Sequence, residues 1–256
     1  QPVAMANWKM EMTIAESLAY LRRFQEKAGR LTRQVEVILC PPYTSLYPMA
    51  QALGASPIEL GVQTVSTASG GARTGEVSAR LVADAGARWV VLGHWELRRH
   101  LGETDEMVNQ KVHRTLKAGL RPILLAGGAR DMGAELVGPA LSRQLACVLD
   151  GCAVEQVAAM VIVYEPESTI GVTEPAPPGH VDAGCRWIRH WVAARLGEDT
   201  AQAVRILYGG SVTPVFARSL LALPDVDGFG ASRKGRDPDA FCELVQLIAQ
   251  ARSPGG

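Results

Sequence analysis

The sequence predicts an α/β fold, a single closed (β/α)8 barrel spanning residues 1–256 as one domain. Three observations carry that expectation. Short β-branched runs alternate with amphipathic segments eight times along the chain. The runs hold little charge, so each strand is buried on both faces, as in a parallel sheet covered by helices through right-handed crossovers. Finally, 256 residues over eight units is 32 per unit, and no Pro/Ser-rich linker divides the chain. Eight units of that length suit a closed barrel better than an open sheet.

The elements follow in order. The strand candidates are Val3–Lys9, Val35–Cys40, Ile58–Gln63, Trp89–Gly93, Pro122–Ala126, Ala158–Tyr164, Arg205–Tyr208 and Val226–Phe229. The sixth belongs to the uncharged run VAAMVIVY, Val157–Tyr164, read as one buried strand. Helical patterns fall between them at Ala15–Ala28, Ser45–Leu53, Ala79–Ala85, Asp105–Ala118, Met132–Leu149, Val181–Leu196, Pro214–Leu221 and Asp239–Ala251. The tracts Gly70–Gly71, Gly127–Gly128 and Gly209–Gly210 come just after strands, where a barrel of this kind carries its functional loops.

Composition narrows the function. The 26 basic and 26 acidic residues balance, which argues against nucleic acid or an anionic membrane as partner. A small anion needs only a local site. No apolar run reaches membrane-spanning length, and QPVAMANWKM has no leader-cleavage pattern. The five cysteines are scattered, odd in number and without a CxxC, so reduced structural thiols in a cytoplasmic protein are expected. No His-x-His cluster stands at a strand end, so a metal is not expected.

Chemistry gathers at the strand ends. Asn7 and Lys9 share a face if the first strand stays extended to its end, because side chains alternate with period two. His94 follows the fourth strand and precedes a helical turn, whose N-terminus would disfavour the imidazolium. Glu165, followed by Pro166, is a carboxylate at the lip of a buried strand. Gly209, Gly210 and Ser211 let backbone N–H groups approach an anion at a helix start.

Taken together, NWKM, CPPYTSL, TGEVS, GHWELRRHLGETDE, YEP followed by IG, and YGGSV resemble the triosephosphate isomerase family in order and spacing, over nearly the whole chain. The resemblance implies a cofactor-free aldose–ketose isomerase of sugar phosphates. Glu165 would be the general base, His94 the electrophile, Lys9 the stabiliser of the enediolate and Asn7 a holder of substrate oxygen. Glu96 would support Lys9. Gly171, Gly209, Gly210 and Ser211 would take the phosphate. Thr74, Gly75 and Glu76 would insert into a partner subunit, making a homodimer.

Four departures from the family pattern stand out. Trp95 replaces a small hydroxyl after His94, and Leu97 an arginine. Glu167 and Ser168 replace an apolar residue and a tryptophan at the start of the lid, whose far side is rich in proline (Pro175, Pro177, Pro178). The fifth strand ends in Ala126-Gly127-Gly128. Ser232 and Arg233 stand in place of a phosphate-binding double glycine, unless a gap gives that role to Gly230, Ala231 and Ser232; where backbone donors are reduced, Arg233 and Lys234 would supply charge to the phosphate, or else they are surface charges at a helix entry. The altered lid is similar to that of relatives acting on four-carbon ketose phosphates such as erythrulose phosphates. An isomerase of that kind, or a non-catalytic barrel binding a phosphometabolite, is therefore the alternative to a three-carbon isomerase.

Overall fold

The computed structural model describes residues 1–129, 134–169, 172 and 175–251. Eight strands, β1 (Val3–Asn7), β2 (Glu36–Cys40), β3 (Glu59–Val62), β4 (Trp89–Leu92), β5 (Arg121–Ala126), β6 (Val161–Tyr164), β7 (Arg205–Gly209) and β8 (Gly228–Ala231), form a closed barrel in sequence order. Every neighbouring pair is parallel, and β1 closes on β8 with Val3 opposite Gly228 and Met5 opposite Gly230. The described residues hold eleven α-helices: α1 (Ile14–Ala28), α2 (Tyr43–Leu53), α3 (Ala79–Asp84), α4 (Trp95–Leu101), α5 (Asp105–Lys117), α6 (Ala134–Val148), α7 (Val154–Ala158), α8 (Pro178–Leu196), α9 (Glu198–Ala203), α10 (Pro214–Leu221) and α11 (Pro238–Ala251).

Period-two alternation divides the apolar residues between two cores. Val3, Met5, Ile38, Cys40, Val91, Ile123, Leu125, Val161, Val163 and Leu207 point inward and fill the barrel. Their strand neighbours, including Ala4, Leu39, Leu124 and Ile162, point outward and pack under the helices with Phe24, Val112, Ile188 and Phe241. Burying each such side chain contributes on the order of 1.5–3 kcal/mol. Trp89 lies inside the barrel because Gly61 on the adjacent strand leaves it room; a Cβ there would stand 3.2 Å from that of Trp89. The Trp89 indole donates to Glu59 at 2.5 Å, and the Arg121 guanidinium lies 3.9 Å from its ring.

Local signals set the helix ends. Thr13 and Glu16 form a reciprocal capping box at α1, and Thr213 accepts from the Phe216 N–H ahead of Pro214 at α10. Two expectations need correction. The run from Val157 is not one strand: Val157 and Ala158 end α7, and β6 begins only at Val161. The first strand ends at Asn7, and Lys9 takes a left-handed backbone with φ 55°, so strand alternation does not orient it. The predicted Met132 helix start lies outside the described residues. Among the described residues, no helix is long and apolar enough to cross a membrane.

Candidate active site

At the C-terminal end of the barrel a cavity of about 310 Å³ is lined by Asn7, Lys9, His94, Glu165, Gly209, Gly210, Ser211, Ser232 and Arg233. Lys234, weighed above as a charge for the phosphate or for the surface, also lines it, as does Thr169, which was not among the expected binding residues. Gly171 lies outside the described residues. Glu96 faces an adjoining cavity that Asn7, Lys9 and His94 share.

The β1 end is held by its own side chain. Asn7 Oδ1 accepts the Lys9 backbone N–H at 3.0 Å, and the Gln63 amide donates to the Lys9 carbonyl at 2.8 Å and to that of Cys40 at 3.2 Å. A left-handed non-glycine residue costs roughly 1–3 kcal/mol, so these bonds hold a strained turn. The turn carries Lys9 Nζ to Glu96 Oε1 at 2.6 Å. Burial opposes ionisation of Glu96, but the Lys9 hydrogen bond and nearby positive charge hold its carboxyl below its ordinary value.

Gly93, with φ 78°, turns the chain out of β4. A Cβ there would lie 3.0 Å from the Leu125 carbonyl oxygen. His94 comes next, 5% exposed and capping α4. The Glu96 backbone N–H donates to its Nδ1 at 3.1 Å. An Nδ1 that accepts leaves the ring hydrogen on Nε2. That Nε2 lies 3.6 Å from Glu165 Oε2.

Glu165 continues the line of β6. Its N–H donates to the Ala126 carbonyl at 2.9 Å, and its own carbonyl accepts the Trp95 indole N–H at 3.1 Å. Its Oε2 is buried and has no hydrogen-bond partner. Gly209 makes space beside it, for a Cβ there would fall 3.2 Å from the Glu165 Cβ and 3.3 Å from Oε1. Across the cavity, Ser211 Oγ donates to the Val172 carbonyl at 2.8 Å, and the Arg233 guanidinium reaches the same carbonyl as well as Ser211 Oγ, at 3.2 Å. Gly230 and Ala231 belong to β8, opposite Met5 and Ala6, so the loop itself begins at Ser232 and Arg233.

The arrangement suits a small anion with a proton to move. Lys9, Arg233 and Lys234 bring positive charge to the cavity, and Glu165 brings a carboxylate beside Gly209. No group of three or more potential metal-ligating side chains occurs among the described residues. Thr74, Gly75 and Glu76 are exposed and line neither cavity. Sequence reading missed the contacts Trp95 and Arg99 make to the segment after β6, because periodicity carries no signal for pairs so far apart in the chain.

Comparison with known proteins agrees with this geometry. Residues 2–248 match the family model for triosephosphate isomerase. The chain is 40% identical over 253 residues to the triosephosphate isomerase of Symbiobacterium thermophilum, covering 98% of each protein. It is 37% identical to that of Carboxydothermus hydrogenoformans, covering 96% of this chain and 98% of the relative. Against that of Chloroflexus aurantiacus it is 39% identical, covering 89% and 91%. With a closed eight-stranded barrel and a nearly full-length match, the chain belongs to the triosephosphate isomerase family of sugar-phosphate isomerases.

Proposed function

We propose that this chain interconverts dihydroxyacetone phosphate and glyceraldehyde 3-phosphate through an enediolate. The observation that carries the reading is the meeting of Glu165 and His94, 3.6 Å apart, in a cavity that Lys9 also lines. Pairing a glutamate base with a neutral histidine is the established chemistry of this family, carried here onto these residues. Glu165 takes the proton from the hydroxyl-bearing carbon beside the carbonyl. Its unpartnered Oε2 is poised for that step, which a positioned base accelerates by roughly 10²–10⁴. His94 donates from Nε2 to the carbonyl oxygen, and the electron pair of the broken C–H bond forms the enediol double bond. Glu165 then returns the proton to the neighbouring carbon while the former hydroxyl oxygen gives its proton back to His94 and becomes the new carbonyl, which completes the isomerisation without net oxidation. Lys9 and Asn7 stabilise the oxyanion, and Glu96 holds Lys9 in place. Gly209, Gly210, Ser211 and Ser232 take the phosphate together with Gly171, and Arg233 adds charge beside them. The chemistry needs no cofactor.

A four-carbon ketose phosphate is the second reading. It is favoured by Trp95 and Glu167, which alter the wall next to Glu165. We further propose a cytoplasmic enzyme of one barrel domain that forms a homodimer through Thr74, Gly75 and Glu76, which stand exposed on this chain. The test is isomerisation of dihydroxyacetone phosphate and of both erythrulose phosphates, side by side, with Glu165→Gln as control. Turnover of the three-carbon substrate that the control abolishes is the expected result. Turnover of a four-carbon substrate alone moves the assignment to that branch. Phosphometabolite binding without Glu165-dependent turnover of any of them points to a binding barrel.

A further inference from the structure

We propose that α4 is a clamp on the backbone of Glu165, with Trp95 and Arg99 as positioning residues that set the reach of the base. The inference rests on the reading of Glu165 as the base. Two of its parts, Trp95 and Glu167, are departures from the family pattern, and both lie where α4 meets the segment after β6.

Trp95 and Arg99 are four residues apart on α4, so they project from one face on successive turns. The Trp95 indole N–H donates to the Glu165 carbonyl at 3.1 Å. The Arg99 guanidinium forms an ion pair with the Glu167 carboxylate. Glu167 is only 8% exposed, an unusual burial for a carboxylate, whereas the Arg99 side chain is half exposed. A buried carboxylate keeps its charge most readily against a cation, so the pair fixes Glu167 where it is. On the other side of the segment, the N–H groups of Glu165 and Glu167 donate to the carbonyls of Ala126 and Gly128, at 2.9 and 3.0 Å. Residues 165–167 are therefore gripped from two directions, by β5 and its loop through backbone bonds and by α4 through side chains.

The clamp is itself braced. Arg98 donates to the Gly93 carbonyl at 3.0 Å and pairs with Asp105 at 2.7 Å, which ties α4 to the end of β4 and the start of α5. Its guanidinium also lies 5.8 Å from the Trp95 ring centroid. With a tryptophan at position 95 no hydroxyl is available there to engage the carboxylate; the indole holds the backbone instead, and Glu165 Oε2 is left facing His94. Ser211, Ser232 and Arg233 follow β7 and β8, three and four strands round the barrel from β4, and Ser211 and Arg233 bond to the Val172 carbonyl. Loosening the clamp should therefore disturb proton transfer and spare anchoring of the substrate.

The test is steady-state kinetics on Trp95→Phe, Arg99→Met and their double variant, with Arg99→Lys and Glu165→Gln alongside. Small misplacement of a reacting group costs one to two orders of magnitude, so kcat should fall about tenfold in each single variant while KM stays within about twofold. The double variant should lose less than the product of the two single losses, because both act on one segment. Arg99→Lys keeps the charge and should recover most of kcat. Unchanged kcat in folded Trp95→Phe and Arg99→Met overturns the clamp, and so does a rise in KM with kcat preserved. Should Arg99→Met fail to fold, Trp95→Phe, which removes the N–H and keeps an aromatic ring at this partly buried position, decides alone. Activity surviving in Glu165→Gln would instead overturn the base assignment, separately from the clamp.

Discussion

Replacing Gly127 with alanine isolates the placement of Glu165 by steric means alone. An ideal Cβ at residue 127 would sit 2.2 Å from the Glu165 carbonyl oxygen, 2.6 Å from its carbon and 3.0 Å from Pro166 N. All three are backbone atoms, so no side-chain rotation relieves the clash. Restoring an ordinary carbon–oxygen contact of more than about 3 Å requires a backbone shift of about 1 Å. That shift pulls at both backbone anchors, the 2.9 Å bond to Ala126 and the 3.1 Å bond from Trp95. A displacement of this size costs a reaction on the order of 10²-fold, or about 2.7 kcal/mol of barrier. Overpacking should also lower stability by about 1–3 kcal/mol. Steady-state assay beside thermal unfolding separates the two: kcat should drop about a hundredfold, KM should change little, and the variant should still unfold cooperatively. A folded Gly127→Ala with kcat within about threefold of the parent would refute the reasoning that the backbone around residues 165–166 sets the rate.

Other perturbations carry clear signs. The Glu96 carboxyl is held below its ordinary value in the folded chain, so its contribution to stability is complete above the ordinary glutamate range near pH ~4.3 and is lost as pH falls through the lower folded value. The difference in thermal midpoint between parent and Glu96→Gln should therefore shrink on acidification below about pH 4, and a gap that widens there contradicts the Lys9 pairing. Cys40 is fully buried and its thiol is pushed up to about 12, and Cys185 is buried with its thiol likewise raised, so brief alkylation of the native protein should label Cys147, Cys152 and Cys242 first, as peptide mass spectrometry would show. Gly184→Ala would drive a Cβ to within 2.2 Å of the Tyr164 ring, and it should cost about 1–3 kcal/mol in denaturant unfolding with a smaller effect on kcat than Gly127→Ala.

Much of the fold was legible because a barrel strand buried on both faces leaves a short apolar run with charge at most at its start, as in Glu36–Cys40 and Arg121–Ala126, and such runs recur along the chain. The edges were less legible. Val157–Ala158 read as strand because no Gly or Pro separates α7 from β6, and the short helices α4 and α9 offer too few turns for a period to show. At the site, Asn7, His94 and Glu165 were legible as polar residues closing apolar runs. Lys9 lines the expected cavity, but it arrives through a left-handed turn tied by Asn7 and Gln63, which a lysine does not announce. At the last loop, Gly230 and Ala231 close β8 and line the same cavity as Ser232 and Arg233. Contacts from α4 to residues 165 and 167 depend on how β4 and β6 flank β5 in the closed barrel, which local sequence does not encode.

The most direct test of the central claim is hydrogen exchange in heavy water. Incubated with dihydroxyacetone phosphate in D2O, the chain should place solvent deuterium on the carbon beside the carbonyl, as followed by proton NMR, and Glu165→Gln should lower that rate by at least about 10²-fold. Deuterium exchange at the parent rate in Glu165→Gln, or none in the parent while the ligand binds, would contradict the assignment of Glu165 as the base.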